Sequence, residues 1–238
     1  MWTTIIIPPI YNALIYIVNL VPGNYLWVAV CVLTILIKLI LLPLYKKQVK
    51  DQLVMTHLAP KLKTLQEKLK NKKEDLAKET MALYSKYKVN PFISILILFI
   101  QLPFLIGLYR IFLVDLATRE NLLYPFVQFP PNINHMFLWL SLTEKSLFLG
   151  VVAGISQYIL GTYMFTTKTG IEAESEPEFA RAMQTQMKYF LPIVITFVST
   201  ITPSVISLYI IVGNIFMVFQ EIWIKKPLEI KVKKELES

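Results

Sequence analysis

In the stretch Thr34–Gln48, TILIKLILLPLYKKQ, one ammonium sits among aliphatic side chains: Lys38, with Leu36, Ile37, Leu39, Ile40, Leu41 and Leu42 around it. The next basic residue, Lys46, lies roughly 12 Å further along a helix axis. A lysine stem reaches about half of that, so snorkelling to an aqueous boundary is strained. Leaving the charge in hydrocarbon costs about 2.5 to 3.5 kcal/mol on insertion scales. A neutralising carboxylate is missing from its depth. Across Tyr25–Tyr45, Pro91–Phe112, Ser146–Phe165 and Tyr189–Trp223 the acidic residue is Glu221, near a cytosolic end. Lys38 therefore points to a water-filled recess, in which an acidic group arriving from elsewhere pairs with it. Thr34 stands one turn deeper on the same helix face, and Gln101 falls mid-span in a second apolar helix, where an amide is costly in lipid and useful in a cavity. Ser199, Thr200, Ser207 and Asn214 offer hydroxyls and an amide from later helices. Small polar groups in membrane helices more often bond back to the backbone or pack between helices, so for these four both readings stay open.

The elements that must position these groups follow from composition. The 238 residues are 55% hydrophobic, with a mean hydropathy of +0.54 and only 7 glycines, which places the chain among polytopic membrane proteins. A single cysteine, Cys31, excludes an internal disulfide framework. The opening MWTTIIIPPIYNALIYIVNLV has no basic region or small-residue cleavage site of a secretory signal. Its Pro8-Pro9 break it early, and Asn12 and Asn19 need partners. It is expected to be an interfacial helix with Trp2, Tyr11 and Tyr16 at headgroup depth, a sixth crossing being the competing reading. Pro203 divides the last apolar block into two helices, of which Tyr189–Ile201 would rise only roughly 20 Å.

The expected architecture is an all-α membrane protein with five transmembrane helices. It comprises an extracytoplasmic interfacial helix (1–22), a first span (23–45), a cytoplasmic helical hairpin (46–90), a second span (91–114) and an extracytoplasmic segment (115–145). A third span (146–166), a cytoplasmic loop (167–188), a hairpin of the fourth and fifth spans (189–224) and a basic cytoplasmic tail (225–238) complete it. Of the 24 Lys and Arg, 20 lie in 46–88, 168–188 and after 224, all on one side if there are five spans. The positive-inside tendency makes that side cytoplasmic, with the N-terminus outside and the C-terminus inside. The net charge of +8 is thus mainly a topology signal and implies no nucleic-acid substrate. The tail KKPLEIKVKKELES can touch anionic lipid or ribosomal RNA, or serve only as a solvated topogenic tail. In the cytoplasmic segment Leu58, Leu62, Leu65 and Leu69, and after the turn-like NKKED Leu76, Thr80, Leu83 and Tyr87, repeat helical spacings. They predict two amphipathic helices folded antiparallel, a mobile functional arm rather than a plain connector.

Enzyme chemistry has no footing here. His57 and His135 lack a nucleophile or ligand set at helical spacing, no GxxxxGK[ST] occurs, and no cofactor or metal is implied.

The segments VNPF (89–92), QLPFLIGLYR (101–110) and MKYFLP (187–192), in that order and after KLILLPLYKKQ, resemble the signature segments of the YidC/Oxa/Alb membrane protein insertases over about residues 10 to 224. The resemblance implies a bacterial plasma-membrane protein with a hydrophilic groove, open to the cytoplasm and to the bilayer and closed on the outside. In that groove a positive residue of the first span receives polar or acidic parts of a nascent membrane protein. It assigns Lys38, Thr34 and Gln101 to the groove; the further groove candidates are Ser207, for its hydroxyl, and Tyr209, both in the last span. It also implies that the hairpin at 46–88 recruits substrates or the ribosome; a Sec translocon is a further candidate partner, on which the sequence is silent. The chain departs from the family pattern in carrying Lys38 where bacterial members usually have arginine, and Tyr209-Ile210 where an aromatic pair is common. It is expected to be a minimal version, with no large extracytoplasmic domain. The alternative function is a small-anion transporter or channel, which would also use a buried lysine. A third reading is an assembly chaperone that only holds other helices.

Overall fold

The computed structural model describes residues 5–70, 72–90, 92–165 and 185–237. The expected loop at 167–188 lies outside the described residues as far as position 184, as does Trp2. The chain is mostly helical: α1 (Ile7–Leu20), α2 (Leu26–Ile40), α3 (Leu42–Lys68), α4 (Lys73–Lys86), α5 (Ile93–Phe112), α6 (Leu147–Phe165), α7 (Leu191–Ile201) and α8 (Ser204–Glu237). A two-stranded hairpin, β1 (Met136–Phe137) with β2 (Leu140–Ser141), precedes α6, and a π-helical turn, Gln186–Phe190, leads into α7. Leu147–Met164 and Ser204–Glu235 are long and apolar enough to cross a membrane. Two bent pairs, α2 with α3 and the end of α5 with Leu116–Leu122, pass the same test as units, while Ile7–Leu20 and Gln186–Ile201 are apolar but shorter.

Prolines set the joints, though not always as the sequence suggested. Pro8-Pro9 do not break α1. They occupy its first turn, where the missing N–H has no helical acceptor to lose. Pro43 does the same for α3, so the first helix within the expected span 23–45 ends at Ile40 and the chain turns by 56° into α3. Lys38 thus lies in the last turn of its helix, not a further turn and a half inside it. At Pro203 the break falls where expected: α7 ends at Ile201, and the free N–H groups opening α8 find acceptors on another segment. Ser204 N–H donates to the Glu144 carbonyl at 2.7 Å and Val205 N–H to the Leu142 carbonyl at 2.9 Å.

The opening helix is packed on most sides. Tyr11, expected at headgroup depth, is fully buried, its hydroxyl donating to the Leu116 carbonyl at 2.7 Å. Asn12 finds its partners in the segment after α5, donating to the Leu122 carbonyl and accepting from the Tyr124 N–H. α1 thereby packs with α2 and α5, and all three share with α8 one apolar core around Leu14, Leu26, Leu108, Ile111 and Ile206. Against this core α6 and α7 lie in close contact, because Gly150 and Gly154 present no side chain to Thr200 and Thr196.

A second core holds the hairpin α3–α4. Val49, Leu53, Leu58 and Leu62 of α3 and Tyr84 of α4 pack with Ile224 and Val232 of α8. The tail at 225–238, for which contact with lipid or RNA and plain solvation both stood open, is helical as far as Glu237: α8 continues through the exposed Pro227 and seals Val232 completely against the hairpin. The ion pair Lys50–Glu235 at 2.8 Å is half exposed and adds little. Burial decides here. Val232→Asp, which strands a charge in that core, is expected to free the α3–α4 hairpin for proteolysis, whereas Lys50→Ala leaves it protected; limited digestion compares them.

Asp51 is buried on α3, its carboxylate accepting the Asn90 N–H at 3.2 Å. Burial pushes its pKa above the ordinary 3.8, more than the Asn90 bond and Lys47 and Lys50 lower it. The folded chain thus holds this proton more tightly than the unfolded chain, and stability falls as pH rises through the unfolded value towards the folded one. Asp51→Asn is expected to raise the melting temperature near neutral pH, the gain vanishing in acid, where both states are protonated.

Candidate functional site

The site is built where α2 crosses α8. On α2 the residues Leu33, Thr34, Ile37 and Lys38 turn inward and are buried, while Leu36, Leu39 and Ile40 face out. Lys38 is 5% exposed. Its Nζ lies 3.0 Å from Met217 Sδ, and its Cε would stand 3.3 Å from a Cβ at Gly213, so the glycine is what lets the lysine stem pass across α8. A thioether is a weak acceptor for an ammonium that has three donors. Among the described residues no carboxylate pairs with Lys38. Thr34 lies against the same glycine, but its hydroxyl donates to the Val30 carbonyl of its own helix at 2.6 Å.

On the other side of Gly213 and Met217 is a cavity of about 210 Å³, between α5, α6, α7 and α8. Gln101, Gln157, Asn214 and the Tyr209 ring bring polar groups to a wall that is otherwise aliphatic and methionine-rich. Tyr209 is buried, and its hydroxyl faces the Gln101 amide without completing a well-formed hydrogen bond. Asn214 is partly committed, donating to Ser156 Oγ at 3.0 Å.

Of the five residues singled out in the sequence, Gln101 and Tyr209 line this cavity, and Lys38 and Thr34 stand behind the Gly213–Met217 wall. Ser207 does not join them: fully buried, it donates to the Ser199 carbonyl at 3.3 Å in the contact between α7 and α8.

A second polar group, noted in the sequence but given no place in the site, lies one turn towards the α3 end of α8. Glu221, 2% exposed, accepts from the Tyr45 hydroxyl at 2.5 Å and pairs with Lys225 at 3.1 Å. Its carboxylate is thereby held away from Lys38. The signal was present, since Glu221 is the lone acidic residue of the apolar blocks, but nothing local connects it to Tyr45, 176 residues away. Gln48, buried on α3, joins the cavity wall from the same end. Among the described residues no three His, Cys, Asp or Glu side chains converge on a point that a metal ion could occupy.

The family described as 60Kd inner membrane protein matches residues 16–233. The chain is also similar to membrane protein insertase YidC 2 of Listeria innocua, 33% identical over 240 residues that cover 98% of this chain and 75% of that one. The chain belongs to the YidC insertase family. Membrane protein insertase MisCA of Bacillus subtilis is 32% identical, covering 95% of this chain and 80% of its own length. Membrane protein insertase YidC of Oceanobacillus iheyensis is 30% identical, covering 97% and 86%. The YidC family is not an enzyme family.

Proposed function

We propose that this chain inserts nascent membrane proteins into the lipid bilayer of a bacterial cell, taking up their hydrophilic tails in a groove that includes Lys38, Thr34, Gln101 and Tyr209. The observation that carries the reading is a buried ammonium whose partner among the described residues is a thioether, one residue layer from a mainly apolar cavity to which Gln101, Gln157 and Asn214 contribute amides. The layout it uses has five spans with the N-terminus outside, the hairpin α3–α4 and the far end of α8 on the cytoplasmic side, where a ribosome or a Sec translocon would approach.

Moving a short polar tail across lipid is costly because its charged groups lose water. A recess reaching part-way through the protein shortens the dry path. An acidic group entering it is a far better partner for Lys38 than the Met217 sulfur, and the unbranched methionine side chain swings aside at little cost. The following apolar segment of the substrate then moves into the bilayer, driven by hydrophobic transfer, with the membrane potential assisting negative tails; no nucleotide is consumed. The anion-transporter reading uses the same lysine, but a continuous solute path would have to pass the packed core of α1, α2 and α8.

The test is a photocrosslinker at position 101, in membranes presented with ribosome-bound nascent chains of a small membrane protein. Crosslinks to the substrate's polar tail at intermediate lengths, lost once its helix is inserted, support transit. Complete insertion with no crosslink at any length refutes the groove. Chloride flux in proteoliposomes without insertion would favour the transporter.

A further inference from the structure

The β1–β2 hairpin pairs Met136 with Ser141 and Phe137 with Leu140, and so turns on Leu138 and Trp139. Both are 68% exposed. Leu138 has φ +55°, a left-handed conformation that two-residue hairpin turns ordinarily assign to Gly or Asn. From Met136 to Thr143 there is no charged residue. In water such a tip combines backbone strain with exposed apolar surface and gains nothing from either.

Its surroundings are apolar as well. The Trp139 ring stands 6.1 Å from the ring of Phe148, in the first turn of α6. Leu147, Phe148, Val151 and Ile155 carry an exposed apolar stripe from there along α6. The hairpin surface is thus continuous with the lipid-facing surface of a membrane-length helix. Its depth follows from its attachment. Leu142 and Glu144 accept the N–H groups that open α8, which ties the hairpin to the turn between α7 and α8. The hairpin and the turn therefore lie together at the end of α6 where its apolar stripe begins, with the exposed Glu144 and Lys145 beside them suited to headgroup level.

We propose that the Leu138–Trp139 tip is a lipid anchor, set into the boundary between headgroups and acyl chains of the leaflet that the α7–α8 turn faces. Its partner is the lipid surface. Tryptophan is favoured at that depth because its ring is buried while its N–H stays wet. The anchor fixes the depth of the α7–α8 turn, to which the hairpin is hydrogen-bonded. The inference rests on α6 crossing the bilayer, as in the proposed function.

The experiment uses the full chain in phosphatidylcholine vesicles, with Trp2, Trp27 and Trp223 replaced by phenylalanine so that emission reports Trp139. Lipids brominated near the carbonyl end of the acyl chain should remove most of this emission, those brominated near the terminal methyl less, and aqueous iodide little. A companion variant carrying Ile155→Trp and Trp139→Phe reports the middle of α6 and should be quenched best by deep bromines. Trp139 reached by iodide and untouched by any brominated lipid, with the companion quenched, overturns the anchor and leaves the span intact. Loss of lipid quenching in both overturns the anchor together with the span.

Discussion

Lys38→Leu is expected to lower insertion of substrates with acidic tails while making the protein more stable. The opposite signs follow from one cause. In the folded chain the ammonium is buried against a methionine sulfur, so removing it relieves a desolvation cost of about 2.5 to 3.5 kcal/mol on insertion scales. The substrate loses a charge-assisted hydrogen bond worth about 1.5 to 3 kcal/mol, roughly ten- to a hundredfold in insertion rate. Lys38→Arg keeps the charge and should retain much of the activity, although a planar fork fits the passage beside Gly213 less easily than a slender ammonium. Rescue of growth in an insertase-depleted cell, read beside the melting temperature of purified protein, separates the two effects. If the leucine variant matched the parent on acidic tails, the electrostatic role of Lys38 would be wrong whatever happened to stability.

Gly154→Leu should strongly destabilise the α6–α7 contact. Even a bare Cβ at 154 would stand 1.7 Å from Thr196 Oγ1 and 3.0 Å from Thr196 Cβ, with the Pro192 carbonyl at 3.1 Å. Alanine can be admitted if Thr196 rotates and gives up its 2.9 Å bond to the Pro192 carbonyl. Leucine has no such exit, because backbone lies behind the side chain, and the two helices must part. In a membrane, close packing and not hydrophobic exclusion joins helices, so the contact has little else to hold it. Overpacking of this kind costs about 1 to 3 kcal/mol. A large drop in melting temperature in detergent for the leucine variant, and a small one for Gly154→Ala, is the expected pattern; a leucine variant as stable as the parent would show that α6 and α7 are not packed this way.

These two sites differ in how far they could be foreseen. The anomaly at Lys38 needs only the order of residues, since the cost of a charge among aliphatic neighbours is local. Nothing along the chain announces that Gly154 meets Thr196, because a glycine in an apolar helix has many possible reasons. The hairpin helices α3 and α4 were legible for a related reason: in a polar segment a leucine spacing of three and four marks one face against a charged background. In α5, α6 and α7 the background is itself apolar, and periodicity cannot tell a face turned to lipid from one turned to a neighbouring helix.

The amino-acid order by itself determined that this is a helical membrane protein, where its basic residues gather, that Pro203 divides the last apolar block, and that Lys38 lacks a nearby acidic partner. Each is a property of a short window, set by local backbone geometry or by the transfer cost of a single side chain. Only the tertiary structure decided that Gly213 and Met217 stand between Lys38 and the cavity, that Glu221 is held by Tyr45, that α1 is buried, and that α8 runs on to seal Val232 against the hairpin. Those contacts join residues far apart in the chain, and in apolar helices of nearly uniform hydropathy the choice of partner rests on shape, which the packed helices alone express.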